Sequence, residues 1–423
     1  MRFRFPLIAL LMLFLVPLSS AGPAGAHAKH HRNHHHRRHH PKAPRHQVLT
    51  LPYMGPIPGP SLFGLDTDLY ESNHAYWAKD IPLAEQLGSR FDHFVLGPKT
   101  ASGDFAEPDF VITQARKAGM GVVLSLGGIP QACSITPPPA SIHNCPPSTP
   151  ADIATYEAYV RTVLLRYRNV VSYYESWTEP NNGSKWLPTP QPGKYAALLE
   201  ADYQTVQQVN AQYGLDIKLL FGSPINFSII PGSTNSTAVL PFVNAVLDDL
   251  HGQRPFDGAA LHAYRFPPAT EGPDALDWDY VGGVPNAPGS GGPFPTDGCI
   301  KGPWCQMTWS GELSAYEQEF ADHGYGQVPI WITEFGWPGN AQPGGDYYPA
   351  DVTQTLYLTE AYADLLRLPF VQAALWFNLR DYEPGYVSPD PAFFYHYGLF
   401  EYGFVPKPAA AAFQALAAAN PGR

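Results

Sequence analysis

Residues 173–181 read Tyr-Tyr-Glu-Ser-Trp-Thr-Glu-Pro-Asn, and residues 330–337 read Ile-Trp-Ile-Thr-Glu-Phe-Gly-Trp. Each stretch begins with the β-branched and aromatic residues that favour strands. Each then places a carboxylate, Glu179 or Glu334, at the strand's end. Pro180, directly after Glu179, cannot donate to a strand ladder, so the strand is expected to stop there. Two buried strands delivering glutamates from distant parts of the chain suggest a carboxylate pair over one substrate.

Working outward, apolar strand-like runs alternate with amphipathic helical stretches from residue 47 onward, the pattern of a parallel α/β fold. Strands are predicted over 47–54, 91–96, 121–126, 173–178, 218–222, 258–264, 330–334 and 373–378. Helices are predicted over 76–87, 108–118, 151–167, 194–213, 238–250, 310–323, 351–366 and 408–418. Eight such units point to a closed (β/α)8 TIM barrel forming a single catalytic domain over 47–423. A doubly wound sheet with a nucleotide site is the alternative. It calls for a glycine-rich turn after the first strand, and residues 55–64, GPIPGPSLFG, carry prolines where amide donors are needed.

The ends and the charge limit the partners. Arg2 and Arg4, an apolar run over about 5–18 and A-x-A sites at 24–26 and 26–28 form a signal-peptide pattern over residues 1–28. A membrane span needs about 20 apolar residues, and Pro6 and Pro17 interrupt this run, so stable membrane insertion is not expected after cleavage. Residues 29–46 form a low-complexity leader with eight histidines among Lys, Arg and Pro. Clustered imidazoles can bind Zn or Ni, but a flexible leader is the plainer reading. Beyond residue 46 there are 18 basic residues against 37 acidic ones, a formal charge of −19, which gives nucleic-acid binding no support.

The four cysteines, Cys133, Cys145, Cys299 and Cys305, lie in Pro/Gly-rich loops of a chain expected to be exported. Local pairs 133–145 and 299–305 are the simplest of three disulfide connectivities. A zinc site is the alternative, without C-x-x-C spacing or histidine partners to support it. Both pairs fall in long connections, 127–150 and 265–308, which in a barrel rise from the carboxyl face where active sites lie.

On that face the ends of the fourth and seventh strands converge, so Glu179 and Glu334 can flank a glycosidic bond. A carboxyl separation of about 5–5.5 Å would give retention, and roughly 6.5–9.5 Å inversion. The motifs Trp177-Thr178-Glu179-Pro180-Asn181 and Ile332-Thr333-Glu334-Phe335-Gly336-Trp337 resemble the two signatures of the clan A retaining glycoside hydrolases. Leu261-His262-Ala263-Tyr264 is similar to the clan's His-x-Tyr on strand six, and Leu375-Trp376-Phe377-Asn378 to its aromatic on strand eight. Tyr397-Gly398-Leu399-Phe400 and Pro406-Lys407-Pro408 resemble the tail of family 39-like members.

The resemblance implies a secreted enzyme that hydrolyses a poly- or oligosaccharide without metal or organic cofactor. Glu179 would be the general acid/base and Glu334 the nucleophile. Tyr264 would hydrogen-bond Glu334, His262 would contact substrate or the pair, and Trp376 would form a sugar-stacking floor. Thr178, Asn181 and Trp337 complete the expected substrate-binding set. Thr178 departs from the pattern, because many members carry Asn there to hold the sugar 2-hydroxyl, and a threonine hydroxyl is shorter with one donor. The last helix is followed almost at once by Arg423, so the β-sandwich that family 39 xylosidases add is not expected here. A binding barrel that has lost turnover is the non-enzymatic alternative, and Thr178 is its only support.

Other groups have weaker expectations. Strand alternation puts Glu175 on the face of Glu179 but about 13 Å lower, as a paired interior acid. Asp381 and Glu383 are expected as solvated loop acids. Tyr53, His93 and Lys99 are possible subsite residues with packing or surface roles as alternatives. Asn226 and Asn235 open glycosylation sequons.

Overall fold

In the computed structural model, eight strands and the helices between them make a closed barrel with every adjacent pair parallel, β8 returning to β1. The structure describes residues 49–67, 74–137, 139, 144–225, 236–264, 308–339, 351–383 and 395–423. The signal and leader (residues 1–46), Cys299, Cys305, Asn226 and Asn235 lie outside the described residues. The strands are β1 (Gly64–Asp66), β2 (Phe91–Val95), β3 (Gly121–Ser125), β4 (Tyr173–Thr178), β5 (Lys218–Ser223), β6 (Gly258–His262), β7 (Ile330–Phe335) and β8 (Val371–Phe377). The described helices are α1 (His74–Gln86), α2 (Ala106–Lys117), α3 (Pro150–Tyr167), α4 (Pro192–Tyr213), α5 (Val239–Asp249), α6 (Trp309–Asp322), α7 (Asp351–Leu365) and α8 (Pro408–Ala419).

Seven strands and all eight helices fall where the sequence pattern puts them; the first strand does not. Residues 49–60 are irregular. They run past the starts of β3 and β4, where Leu51 N donates to Arg166 O, Asn169 Nδ2 donates to Leu51 O, and the Arg116 guanidinium donates to Gly55 O and Pro56 O. Leu49 and Tyr53 are 64% and 68% exposed. Their alternation with polar residues therefore marks no buried strand, and Pro52, Pro56, Pro58 and Pro60 remove ladder donors. The barrel's first strand is the three-residue Gly-Leu-Asp that follows, with Leu65 buried and Asp66 at its tip.

The barrel interior changes character along its axis. At the amino end Phe91, Val123, Leu220, Trp331 and Leu375 pack into an apolar plug, with Phe91, Tyr173 and Trp331 in mutual ring contact. Toward the carboxyl end the inward positions become ionisable: His93 on β2, Glu175 on β4, His262 on β6 and Glu334 on β7. Burying such groups is costly unless they pair, so this end of the barrel is where a site is expected.

Cys133 and Cys145 form a disulfide, as the local pairing predicts. Its loop touches the segment after β4, through Leu187 N donating to Asn144 O at 3.0 Å. Among the described residues no helix is long and apolar enough to cross a membrane.

Candidate active site

Glu179 leaves β4 through two residues with left-handed backbones, Trp177 (φ 72°) and Glu179 itself (φ 48°). For non-glycine residues each such conformation costs roughly 1–3 kcal/mol and persists only where neighbours enforce it. Here the Trp177 indole is buried beside Tyr156 and Trp186 and donates to Lys185 O at 3.0 Å. Glu179 N donates to Ser223 O at 2.9 Å. Gly222 lets the two strands approach, since a Cβ there would lie 2.2 Å from Ser176 O and 2.3 Å from Trp177 O. The strand end is thereby turned so that the Glu179 carboxylate enters the barrel mouth.

Glu334 arrives from the opposite wall, at an irregular register between β7 and both its neighbours. Its Oε2 accepts a hydrogen bond from Tyr264 Oη at 2.7 Å. His262 Nδ1 lies between the two carboxylates, 3.1 Å from Glu179 Oε1 and 3.4 Å from Glu334 Oε2. One oxygen of each glutamate and a nitrogen of His262 all lie within 4.8 Å of one another. The sequence-predicted pair and its His-x-Tyr partners are thus brought together.

Two further residues complete the constellation. Asn182 Nδ2 donates to Glu179 Oε2 at 2.6 Å, while its Oδ1 is held by Ser184 N and Oγ. Asp66 Oδ2 lies 2.9 Å from His93 Nδ1, which is itself 3.8 Å from Glu334 Oε1. The second Asn of Glu-Pro-Asn-Asn is the signal in the sequence for Asn182. Asp66 is hidden as long as the first strand is placed over 47–54.

The remaining expected site residues fare unevenly. Thr178 is half-buried at the tip of β4, paired in register with Ser223. Asn181 is fully buried, its amide donating to Ile225 O and Thr237 O and accepting from Ile225 N, so it ties the loop to β5's end. Trp376 and Trp337 are 0% and 1% exposed and make edge and tilted ring contacts with each other, Phe335 and Trp309 in the layer outside the barrel, leaving no face for a sugar. Alternation along β8 sends Trp376 outward, and its indole donates to Tyr397 O. The inward aromatic is Phe377, edge-on to Tyr264 and Tyr382.

Tyr53 stands at no strand end, and Lys99 is exposed in the one-turn helix after β2. Asp381 is buried rather than solvated, accepting from Lys407 Nζ at 2.6 Å and Gly398 N at 3.0 Å. Glu383 is half-buried.

Charge in the site is distributed unevenly. Burial pushes Glu334 up to about 7; the charges of His262 and His93 oppose the rise, and those of Asp66 and Glu179 add to it. Burial also acts to raise Glu179, but the His262 hydrogen bond, the charge of Lys185 and the Asn182 contact hold it below the usual glutamate range. Burial acts to lower His93, yet Asp66, Glu175 and Glu334 carry it up to about 10. His262 is likewise raised, its burial outweighed by Glu334, Glu179 and Glu175. Two carboxylates this close titrate as a unit, with Glu334 pushed up and Glu179 held down.

Three groups could bring donors to a metal ion: His93, Glu175 and His262; Asp66, His93 and Glu334; and Glu179, His262 and Glu334. All three draw on the same buried network, whose hydrogen bonds among Asp66, His93, His262 and the glutamates already engage most of the donors.

No family model and no curated protein matches the sequence. Solved structures do. A family 39 glycoside hydrolase from the gut symbiont Bacteroides cellulosilyticus WH2 is 20% identical with a TM-score of 0.56, covering 85% of this chain and 64% of that one. A GH5_18 protein from Bifidobacterium longum subsp. infantis is 13% identical with a TM-score of 0.56, covering 85% and 79%. A glucosidase from Croceicoccus marinus is 14% identical with a TM-score of 0.53, covering 86% and 69%. The chain spans less than two thirds of the family 39 protein's length. At these identities the likeness shows the fold, a (β/α)8 barrel of the kind that glycoside hydrolases use.

Proposed function

We propose that the protein is a secreted retaining glycoside hydrolase acting on O-glycosidic bonds of a poly- or oligosaccharide. The observation that carries this reading is the approach of Glu179 and Glu334, oxygen to oxygen within 4.8 Å, from opposite walls of one barrel mouth. Closely placed carboxylates are the arrangement of the retaining mechanism, in which one of them attacks the anomeric carbon directly. The glycosidase neighbours and the signal-peptide pattern support it.

In this reading Glu334 attacks the anomeric carbon while Glu179 protonates the leaving oxygen. Glu179 then takes a proton from water, which releases the sugar from Glu334. The cycle draws on the form of the pair with its proton on Glu179. His262, touching both carboxylates, stabilises either arrangement, and the Tyr264 hydroxyl stabilises the ionised Glu334. Phe377, at the inward position of β8, takes the role that the sequence assigned to Trp376 and forms an apolar wall against the sugar ring. No step calls for a metal or an organic cofactor.

The test is the anomeric configuration of the first product, followed by proton NMR on an activated aryl glycoside hydrolysed by the purified protein. Retention is expected. Net inversion would remove Glu334 from the role of nucleophile.

A further inference from the structure

β4 and β5 pair in register from Tyr173 with Lys218 to Ser176 with Phe221, and again at Thr178 with Ser223. Among the described residues no such pair joins Trp177 to Gly222. Trp177 has its left-handed backbone at this gap, and there the alternation of the strand breaks. Glu175 meets Ser223 Oγ in the barrel interior, so regular pleating would send Trp177 inward as well. Instead Ser176 and Trp177 both face helices. Ser176 Oγ donates to Asp202 Oδ2 of α4 at 2.5 Å, and the Trp177 ring lies against Tyr156 of α3. The twist keeps a large indole out of the mouth and leaves that space to the Glu179 carboxylate.

The same twist leaves the ladder short of bonds. A Cβ at Gly222 would lie 2.2 Å from Ser176 O and 2.3 Å from Trp177 O, so two carbonyl oxygens of β4 crowd one α-carbon of β5. Buried carbonyl and amide groups need partners. One hydroxyl from outside the sheet supplies them: Tyr195, in the first turn of α4, accepts from Gly222 N at 2.5 Å and donates to Ser176 O at 3.0 Å. A hydroxyl has a proton to give and lone pairs to accept with, so this single group bridges the two strands at the gap. Tyr195 is 0% exposed, its ring held edge-on to Trp186 and Phe221 with Phe242 of α5 tilted against it.

We infer that Tyr195 is a positioning residue for Glu179: its hydroxyl stands in for the missing ladder pair and so holds the Trp177 turn that aims the acid/base carboxylate into the mouth. It acts through the backbone of β4 and touches no substrate. Without the hydroxyl, Ser176 O and Gly222 N–H lose their partner, and the left-handed conformation of Trp177 loses one of the contacts that enforce it. A misplacement of about 1 Å is enough to cost about 100-fold in rate. The catalytic consequence rests on the proposed glycosidase function, but the bridging of the strands does not.

The test compares Tyr195→Phe with the native protein on two glycosides of one sugar. A dinitrophenolate leaves without a proton, whereas a methylphenolate needs one from Glu179. In Tyr195→Phe, kcat/KM for the methylphenyl glycoside is expected to fall about 10- to 100-fold, and that for the dinitrophenyl glycoside to stay within about 3-fold. Phe242→Leu, which loosens the packing around the ring but keeps the hydroxyl, should lower the melting temperature and leave the ratio of the two substrates unchanged. Equal losses on both glycosides in Tyr195→Phe, or a ratio that moves as far in Phe242→Leu, would overturn the proposal. Hydrogen exchange followed by mass spectrometry reads the bridge without substrate. The native Gly222 amide should be protected like its neighbours in β5, and Tyr195→Phe should speed its exchange at least about 10-fold. Exchange at the rate of an open loop in the native protein would overturn the proposal, whether or not the variant folds. A native protein that hydrolyses no glycoside, yet shows the protected amide and its release in Tyr195→Phe, would instead overturn the function and leave the bridge intact.

Discussion

Tyr264 donates its hydroxyl to Glu334 Oε2 at 2.7 Å, and both side chains stand where β6 and β7 open into the barrel mouth. A hydroxyl in this position stabilises the ionised carboxylate more than its ester, so it matters most where charge on Glu334 is forming or leaving. Removing one hydrogen bond to a charged group costs about 1.5–3 kcal/mol. Tyr264→Phe is therefore expected to lower kcat roughly 10- to 150-fold, with little change in melting temperature. Steady-state kinetics beside a thermal melt would separate the two effects.

The coupled glutamates set the pH dependence of turnover. The singly protonated pair exists between a low step on Glu179, held below the usual range, and an upper step near the value of about 7 for Glu334. A bell-shaped kcat/KM with an acidic optimum is expected, falling as pH rises past about 7. A profile still rising through pH 8 would show that the pair does not share a proton in this way.

Stability should also fall as pH rises. Asp92 is raised to about 8, chiefly by burial and then by the charge of Asp66, against hydrogen bonds from Thr67 and the charge of His93. An acid raised in the folded state contributes stability below its unfolded value near 3.8, and that contribution is lost as pH climbs through 8. His93, raised to about 10, adds a contribution that is full below its unfolded value near 6.5 and lost toward pH 10. Asp92→Asn can keep both contacts with Thr67 while removing the ionisation. It should flatten the decline, with a gain on the order of 1–3 kcal/mol above pH 8, read by denaturant melts across pH.

The Cys133–Cys145 bridge closes a short loop whose Asn144 carbonyl accepts from Leu187 N beyond Glu179. Loop-closure entropy assigns such a crosslink about 3 kcal/mol. Replacing both cysteines with serine should lower the melting temperature on the order of 5 °C. KM should rise more than kcat falls, because the link steadies the loop at the mouth rather than the reacting groups.

What is legible in the sequence follows from how each signal is written. β4 and β7 announce themselves because aromatic and β-branched residues lead to a glutamate followed by Pro180 or, two residues on, Gly336. His262 and Tyr264 are read from their similarity to the clan's His-x-Tyr on strand six. β1 escapes because three residues, Gly64–Asp66, are too short to show a period, whereas Leu49, Leu51 and Tyr53 imitate one on a segment that crosses outside the barrel. The aromatic of β8 is displaced by one residue. Trp376 is the larger ring, but alternation gives the interior to Phe377, and ring size says nothing of facing. Glu175 looks too low to matter on rise alone. Its carboxylate nevertheless belongs to the network beneath the pair, with Oε2 3.7 Å from His93 Nε2.

The most direct test of the central claim is removal of the Glu334 carboxylate. Glu334→Ala, assayed on an activated aryl glycoside with and without sodium azide, should lose hydrolysis by at least about 1000-fold. Azide should restore part of the turnover by attacking from the vacated face and should yield a glycosyl azide of inverted configuration. A Glu334→Ala protein that still hydrolyses at the native rate would contradict the assignment.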